Sequence, residues 1–332
     1  MNNRLKHILR YILFLGLGFV LLYFAYKDAD FDSLWNGIAQ ANFFLIALSF
    51  VLGYLAIVAR GLRWVMMLEP LDYKVRKSNS IHAVAIGYFA NIFVPRSGEL
   101  ARCVALYRSD DVPVEKLFGT VIMERIIDSV MLLAFLALAF FSHVDEFYQL
   151  MEQADTSGGS AKKWLLIASG VGLLLVVTLL LFRKKIQNSA LFQKVLHFLK
   201  GMLEGLKSVF TMKRRGLFVF YTFFIWIMYF FTAYLICFAI PETREVTVLD
   251  ALFIVVAGGL GMVFPSPGGT GSYQFAVKLA FIALGFSGET GLKFATIVWF
   301  TQTFMFIIAG SVAALSLFLS RRERRTIPGP HE

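Results

Sequence analysis

The feature that most constrains this chain is a short apolar run, residues 81–94, that stops at Pro95 and leads into charged sequence. The run has about 14 residues, fewer than the ~20 that a helix needs to cross a bilayer. Basic residues at Lys77 and Lys116 flank the region and are expected on one side of the membrane. The stretch is therefore predicted to enter and leave by the same side. The simplest structure is a re-entrant helical hairpin that returns along residues 100–108.

A second broken apolar stretch repeats this pattern in the C-terminal half. Met262–Gly269 (MVFPSPGG) aligns with Ile92–Glu99 (IFVPRSGE), and each has a proline followed by a glycine. Two broken segments in corresponding halves point to the binding site of a membrane transporter. Residues 249–286 fit either a second hairpin, entering from the opposite side, or two full crossings. The shortness of both arms favours the hairpin.

The composition places these stretches in a membrane protein. Of 332 residues, 58% are hydrophobic and only 16% are charged, against about a quarter charged in soluble domains. The fold class predicted is all-α, a polytopic membrane helix bundle of about six spanning helices plus two oppositely oriented re-entrant helical hairpins. The predicted spans are residues 8–26, 43–68, 118–141, 164–182, 217–240 and 293–319.

The distribution of positive charge predicts the orientation. The net charge of +10 is read as a topological signal, so no nucleic-acid partner is expected. Both termini are predicted to be cytoplasmic in a multi-pass protein of the inner (plasma) membrane. Residues 1–325 are expected to form one integral membrane domain, with an amphipathic helix at about 190–212 on the cytoplasmic leaflet and a disordered tail at 326–332. Cys103 and Cys237 form no CxxC motif and the five histidines have no ligand spacing, so no metal or cofactor is expected.

Charged residues inside apolar sequence are the first candidates for a site, because each costs about 3 kcal/mol in a bilayer. Glu124, Arg125 and Asp128 are spaced to share one sector of a helix. They predict either an internal ion pair or an arginine shared between these acids and an anionic lipid phosphate. Arg60 and Arg63, near the end of their span, are expected to reach the inner interface along their own stems.

The two predicted hairpin tips supply the other candidates. Arg96 is expected either to bind phosphate at membrane depth or to pair with Glu99, and Arg102 to pair with Glu99 across one helical turn. The second tip predicts either an anion nest of backbone N–H groups or a tight turn. Lys278 is expected either to face the same cavity as Arg96 or to point away from it. The candidate binding residues of this second half are Gly268, Gly269, Gly271, Tyr273 and Lys278.

These motifs, in this order, resemble the membrane region of lysylphosphatidylglycerol synthases and the related flippase-like membrane proteins. The matching residues are Asn91, Pro95, Gly98-Glu99, Arg102, Glu124-Arg125 with Asp128, and the late Pro-rich glycine loop. The resemblance implies movement of an anionic amphipathic lipid, a phospholipid or a polyprenyl-phosphate-linked lipid, between leaflets. It implies no catalytic residues, since aminoacyl transfer in that family belongs to a separate cytoplasmic domain that is not expected here.

Two other functions remain open at this point. An intramembrane enzyme acting on lipid headgroups would use Glu99, Glu124 or Asp128 as acid or base. A non-catalytic protein would instead accompany a lipid synthase or glycosyltransferase. The expected partners are membrane lipids with anionic headgroups, and either a second copy of the chain or such a biosynthetic enzyme.

Overall fold

A computed structural model describes residues 3–27, 29–142, 212–264 and 266–326, and within these ranges the chain is helical without strands. The all-α membrane helix bundle predicted from the sequence is thereby confirmed. The α-helices are α1 Asn3–Tyr26, α2 Phe31–Ala39, α3 Phe43–Leu68, α4 Lys77–Phe93, α5 Gly98–Asp110, α6 Val114–Ser142, α7 Arg215–Ala239, α8 Val248–Val263, α9 Ser272–Ala283 and α10 Gly288–Thr326. Short 3₁₀ turns occupy Glu69–Leu71, Pro241–Thr243 and Pro267–Gly269.

Three helical segments of the described ranges are long and apolar enough to cross a membrane: Phe43–Leu71, Arg215–Ala239 and Gly288–Leu319. They coincide with three predicted spans, and α1 (24 residues) and α6 (29 residues) coincide with two more. The predicted span 164–182 lies outside the described residues, as does the predicted helix at 190–212 except for its last residue. Large apolar side chains face outward along the long helices, as a lipid environment requires: Phe44 is 74% exposed and Phe300 61%.

The first hairpin consists of α4 and α5, joined by the tip Val94–Ser97. Its two arms approach each other near the tip, because a Cβ atom on Gly98 would overlap the carbonyl oxygen of Gly87. The side chain of Asn91 accepts the Gly98 N–H at 2.7 Å and so caps α5. At the base of the hairpin, the Asp110 carboxylate accepts the Asn79 side-chain amide at 2.9 Å. The two arms are thus hydrogen-bonded to each other near the tip and at the base.

The second hairpin consists of α8, the turn Pro267–Gly269, and α9. Its arms have 16 and 12 residues, which favours a hairpin over two full crossings. A capping box of Thr247 and Asp250 starts α8. Near the tip, a Cβ on Gly261 would lie 2.7 Å from the Ser272 carbonyl oxygen. The glycine-mediated approach of the arms is therefore the same in both hairpins.

The two tips meet. The Arg96 guanidinium donates to the carbonyl oxygen of Val263, at the end of α8, over 3.3 Å. Gly268 lies against Ile92 of the first hairpin, and the indole N–H of Trp299, on α10, donates to the Gly268 carbonyl at 2.9 Å. Arg96 holds a left-handed backbone with φ of 61°, which is uncommon for a residue other than glycine. Entry of the hairpins from opposite leaflets stays a prediction.

Two regions differ from the expectation. Helix α2 was not predicted; Asp30 caps it by accepting the backbone N–H of Asp32 at 3.0 Å, and Leu34 is buried beneath it. At the other end, Thr326 is the last residue of α10 rather than the first of a disordered tail. Residues 327–332 lie outside the described part of the chain.

Candidate anion-binding site

Two arginines of α3 face two acids of α6 in the interior. Arg60 and Arg63 are three apart, and Glu124 and Asp128 are four apart, so each pair shares one face of its helix. The Arg60 Nε donates to Glu124 at 2.6 Å, and its Nη2 to Asp128. The Arg63 Nη2 donates to Asp128 at 2.8 Å. Arg60 is 5% exposed, while Arg63 and Glu124 are fully buried.

The prediction that Arg60 and Arg63 reach the membrane interface is therefore wrong. Their side chains turn inward because two carboxylates and the Thr222 hydroxyl, 3.2 Å from the Arg63 Nη1, offer partners that lipid cannot. One signal in the sequence could have predicted this pairing. The spacing of the two arginines on one span matches the spacing of the two acids on another.

Two tyrosines, both missed by the sequence reasoning, hold the other side of Arg60. Its Nη1 donates to the hydroxyls of Tyr229, at 3.0 Å, and of Tyr88. The two hydroxyls are 2.7 Å apart and share a hydrogen bond. The Tyr88 ring stacks on Phe306 of α10, with centroids 4.6 Å apart. The network thus ties α3 and α7 to the first hairpin.

Arg102 of the first hairpin joins the same carboxylate cluster. Its Nη1 lies 3.2 and 3.0 Å from the two oxygens of Glu124, whereas the sequence predicted a pair with Glu99. Arg102 is only 3% exposed, yet its Nε and Nη2 atoms have no hydrogen-bond partner among the described residues.

Arg125 was predicted to crowd together with Glu124 and Asp128, and this is also wrong. Consecutive helical residues point about 100° apart, so Arg125 turns toward α5. There it pairs with Glu99 at 3.3 Å, and its side chain is 47% exposed. Glu99 is thus the partner of Arg125 and of neither Arg96 nor Arg102.

A small cleft adjoins this cluster, with a cavity volume of about 20 Å³, room for a single water molecule. Three guanidinium groups (Arg60, Arg63, Arg102) contact two carboxylates (Glu124, Asp128), which leaves one positive charge uncompensated among the described residues. The lining consists of Arg60, Val84, Gly87, Tyr88, Asn91, Gly98, Arg102 and Arg125.

The predicted residues of the second hairpin do not join this cleft. Gly268, Gly269 and Gly271 have φ between 58° and 80°, which makes a tight turn. The N–H of Gly269 donates to the Ser266 carbonyl, and that of Gly271 to the Gln274 side chain at 2.8 Å. Those two groups are therefore already engaged within the turn. Binding by these glycines stays a prediction.

Tyr273 and Lys278 also point elsewhere. Tyr273 is 8% exposed and packs against Gly258 of α8. The Lys278 ammonium donates to the carbonyl oxygen of Ala25, on α1, at 2.7 Å. Arg96 and Lys278 therefore do not share a cavity in this structure, because α9 turns its lysine toward α1.

Comparison with known proteins places the chain among membrane proteins. A UPF0104 membrane protein of Methanocaldococcus jannaschii is 28% identical over 127 residues, 37% of this chain and 37% of the relative. The match thus spans little more than a third of that protein. A UPF0104 membrane protein of Pyrococcus horikoshii is 24% identical over 292 residues, covering 76% of this chain and 82% of the relative. The family model described as "Lysylphosphatidylglycerol synthase TM region" matches residues 9–310, and the chain belongs to that family.

Proposed function

We propose that this protein moves a lipid with an anionic headgroup between the leaflets of its membrane. The observation that carries the proposal is the positive charge of the Arg60, Arg63 and Arg102 cluster beside a cleft, which no acid in the described part of the chain compensates. An unpaired charge held away from water is costly. An anion entering the cleft would neutralise it, and in a membrane helix bundle the abundant anions are lipid headgroups.

The Arg125–Glu99 pair stands at the mouth of this site. Arg125 lines the cleft and is nevertheless half exposed, so it connects the buried cluster with the surface. A cavity that holds one water is too small for a headgroup. Entry therefore requires the first hairpin to move away from α6, and the exposed Arg125–Glu99 pair is a weaker link between them than the buried Arg102–Glu124 pair. The acyl chains would remain in the bilayer meanwhile.

We infer a transport role rather than a chemical one. A general base needs a carboxylate that is available to a substrate proton. Both oxygens of Glu124 and of Asp128 contact arginines, and Oε1 of Glu99 contacts Arg125. Cytoplasmic termini, an inner-membrane location, and a second copy or a lipid-biosynthetic enzyme as partner belong to the same proposal.

Reconstitution tests this function. Purified protein in liposomes, with acyl-labelled lipids quenched from outside, would measure exchange of phosphatidylglycerol, phosphatidylethanolamine and phosphatidylcholine. We expect faster exchange of phosphatidylglycerol than of the other two, and a selective loss of that preference in Arg125→Gln. Arg214→Gln is the matched control, because Arg214 is 61% exposed and pairs with Glu69 outside the cleft. Exchange no faster than in protein-free liposomes for every lipid would contradict the proposal.

A further inference from the structure

The Arg102 side chain is fixed on two sides. On one side, its Nη1 is shared by both oxygens of Glu124, at 3.2 and 3.0 Å. On the other side, the guanidinium lies over the ring of Trp64, with its carbon atom 4.8 Å from the ring centroid. A guanidinium over an indole ring is stabilised by the ring quadrupole, most strongly where water is excluded. Together the carboxylate and the ring set both the position and the plane of the Arg102 guanidinium.

Trp64 is itself held in place. It is fully buried, and its indole N–H donates to the Thr120 hydroxyl, on α6, at 2.8 Å. The hydroxyl in turn donates to the Leu117 carbonyl at 2.7 Å. Thr120 of α6 therefore helps to fix the orientation of Arg102, because its hydroxyl holds the Trp64 ring over which the guanidinium lies. Such pre-organisation has a use when the guanidinium must receive a ligand of fixed geometry.

One edge of the Arg102 guanidinium has no hydrogen-bond partner among the described residues. The Nε–H and one Nη2–H of arginine point in the same direction and form a fork that fits two oxygens of a carboxylate or phosphate. In Arg102 these are the two nitrogens that are buried and lack a partner among the described residues. Buried donors without partners are rare, and each calls for a specific explanation. Arg102 also lines the cleft, and a ligand would reach this buried edge if enlargement of the cleft uncovers it.

We propose that the Nε–Nη2 edge of Arg102 is a phosphate subsite, which takes two free oxygens of one phosphate group, and that Trp64 and Thr120 are its positioning residues. The inference rests on the proposed function and deepens it. It names the recognised chemistry as a phosphate with two unesterified oxygens, from a lipid headgroup or from free phosphate. Net positive charge alone would accept any anion, whereas a fork selects by shape.

Binding measurements on the purified full-length protein test the subsite. The ligands are dihexanoyl-phosphatidylglycerol, sodium phosphate and uncharged dihexanoylglycerol. We expect Arg102→Lys to weaken phosphatidylglycerol binding about tenfold, because lysine keeps the charge but presents no planar fork. Tighter binding of the lipid than of phosphate assigns the fork to a headgroup, and equal binding assigns it to free phosphate. Unchanged affinity in Arg102→Lys, or equal affinity for dihexanoylglycerol, would overturn the subsite.

The positioning role needs a readout that lost stability alone would not give. Thr120→Val removes the hydroxyl that holds Trp64 at nearly constant volume, and we expect about threefold weaker binding, with Thr120→Ser restoring it. In the Arg102→Lys background the same change should have no effect, since there is no fork left to orient. Equal weakening in both backgrounds would overturn the positioning role. Melting temperatures of all variants confirm that each is folded.

The outcomes separate this inference from the function on which it rests. Normal phosphatidylglycerol exchange in liposomes together with unchanged binding in Arg102→Lys overturns the fork and leaves the transport function standing. Absence of exchange for every lipid overturns the function, while the binding series still decides the fork.

Discussion

The two hairpins are built alike and placed in different surroundings. In each, a glycine of the first arm lets the second arm approach near the tip: Gly87 beside Gly98, and Gly261 beside Ser272. The first hairpin then presents Arg102 and Tyr88 to a charged interior. The second presents Val277 and Phe281, both fully buried, to an apolar one. A shared backbone design therefore serves a polar site in one half and close packing in the other.

Because the surroundings differ, different substitutions should destabilise each half. The largest loss of stability is expected on substitution of Glu124. Glu124→Gln keeps the volume but leaves Arg102 without an acidic partner among the described residues, while Arg60 and Arg63 keep Asp128. Removing one member of a buried ion pair costs about 3–5 kcal/mol, so we expect little folded protein, measured as thermal unfolding in detergent. The control is Glu99→Gln, whose partner Arg125 is 47% exposed and which should cost less than about 1 kcal/mol. Equal losses would mean that burial of the cluster is not what stabilises the first half.

In the second half, stability should be lost when close packing is disturbed. Gly271 has φ of 80°, and a Cβ there would overlap the Gly18 carbonyl oxygen of α1. We expect Gly271→Ala to lower the free energy of unfolding by about 1–2 kcal/mol for the left-handed backbone and by about 1–3 kcal/mol more for the overlap. Gly285→Ala is the matched control, because its φ is 82° and nothing lies within 4 Å of the added Cβ. If both variants lose the same stability, α1 does not constrain the second tip.

A third prediction concerns whether the halves share the cleft. Lys278→Met removes the hydrogen bond to the Ala25 carbonyl and should cost about 1 kcal/mol. Because the ammonium faces α1, the preference for phosphatidylglycerol in the liposome assay should not change. Arg125→Gln should reduce that preference. A reduced preference in Lys278→Met would mean that the second hairpin also contacts the headgroup.

Sequence reasoning recovered the architecture because the signals for it are local. Apolar length, the breaks near Pro95 and in residues 262–269, and flanking positive charge predicted both hairpins within a few residues. The partners inside the site were predicted poorly, because they depend on the rotation of each helix about its axis. Arg60 pairs with α6 rather than reaching the interface, and Arg125, one residue from Glu124, faces a different helix. Helical spacing separates Arg125 from Glu124 by about 100°, but the neighbouring helix that each side chain faces cannot be read from spacing within one helix.

The smallest effect is expected at a partly exposed ion pair of the second half, whose acid, Glu242, lies outside the membrane-spanning segments. Lys293 contacts Glu242, in the turn before α8, at 3.1 Å. Partial burial opposes ionisation of Glu242, but a backbone N–H and Lys293 outweigh it, so the pKa of this carboxyl is lowered. Its contribution to stability is therefore fully present above the unfolded pKa, about 4.3, and is lost as the pH falls through the lower folded pKa.

Because the Glu242 side chain is 42% exposed, we expect a contribution below about 0.5 kcal/mol. The measurement is the melting temperature of the protein and of Glu242→Gln between neutral pH and about pH 3. The two curves should differ slightly at neutral pH and converge in acid. Phosphatidylglycerol binding at neutral pH should be equal in both proteins, since the pair lies in the half that does not contact the cleft. A change in that binding would show that the turn Pro241–Thr243 is coupled to Arg102, and the division of roles between the hairpins would then be wrong.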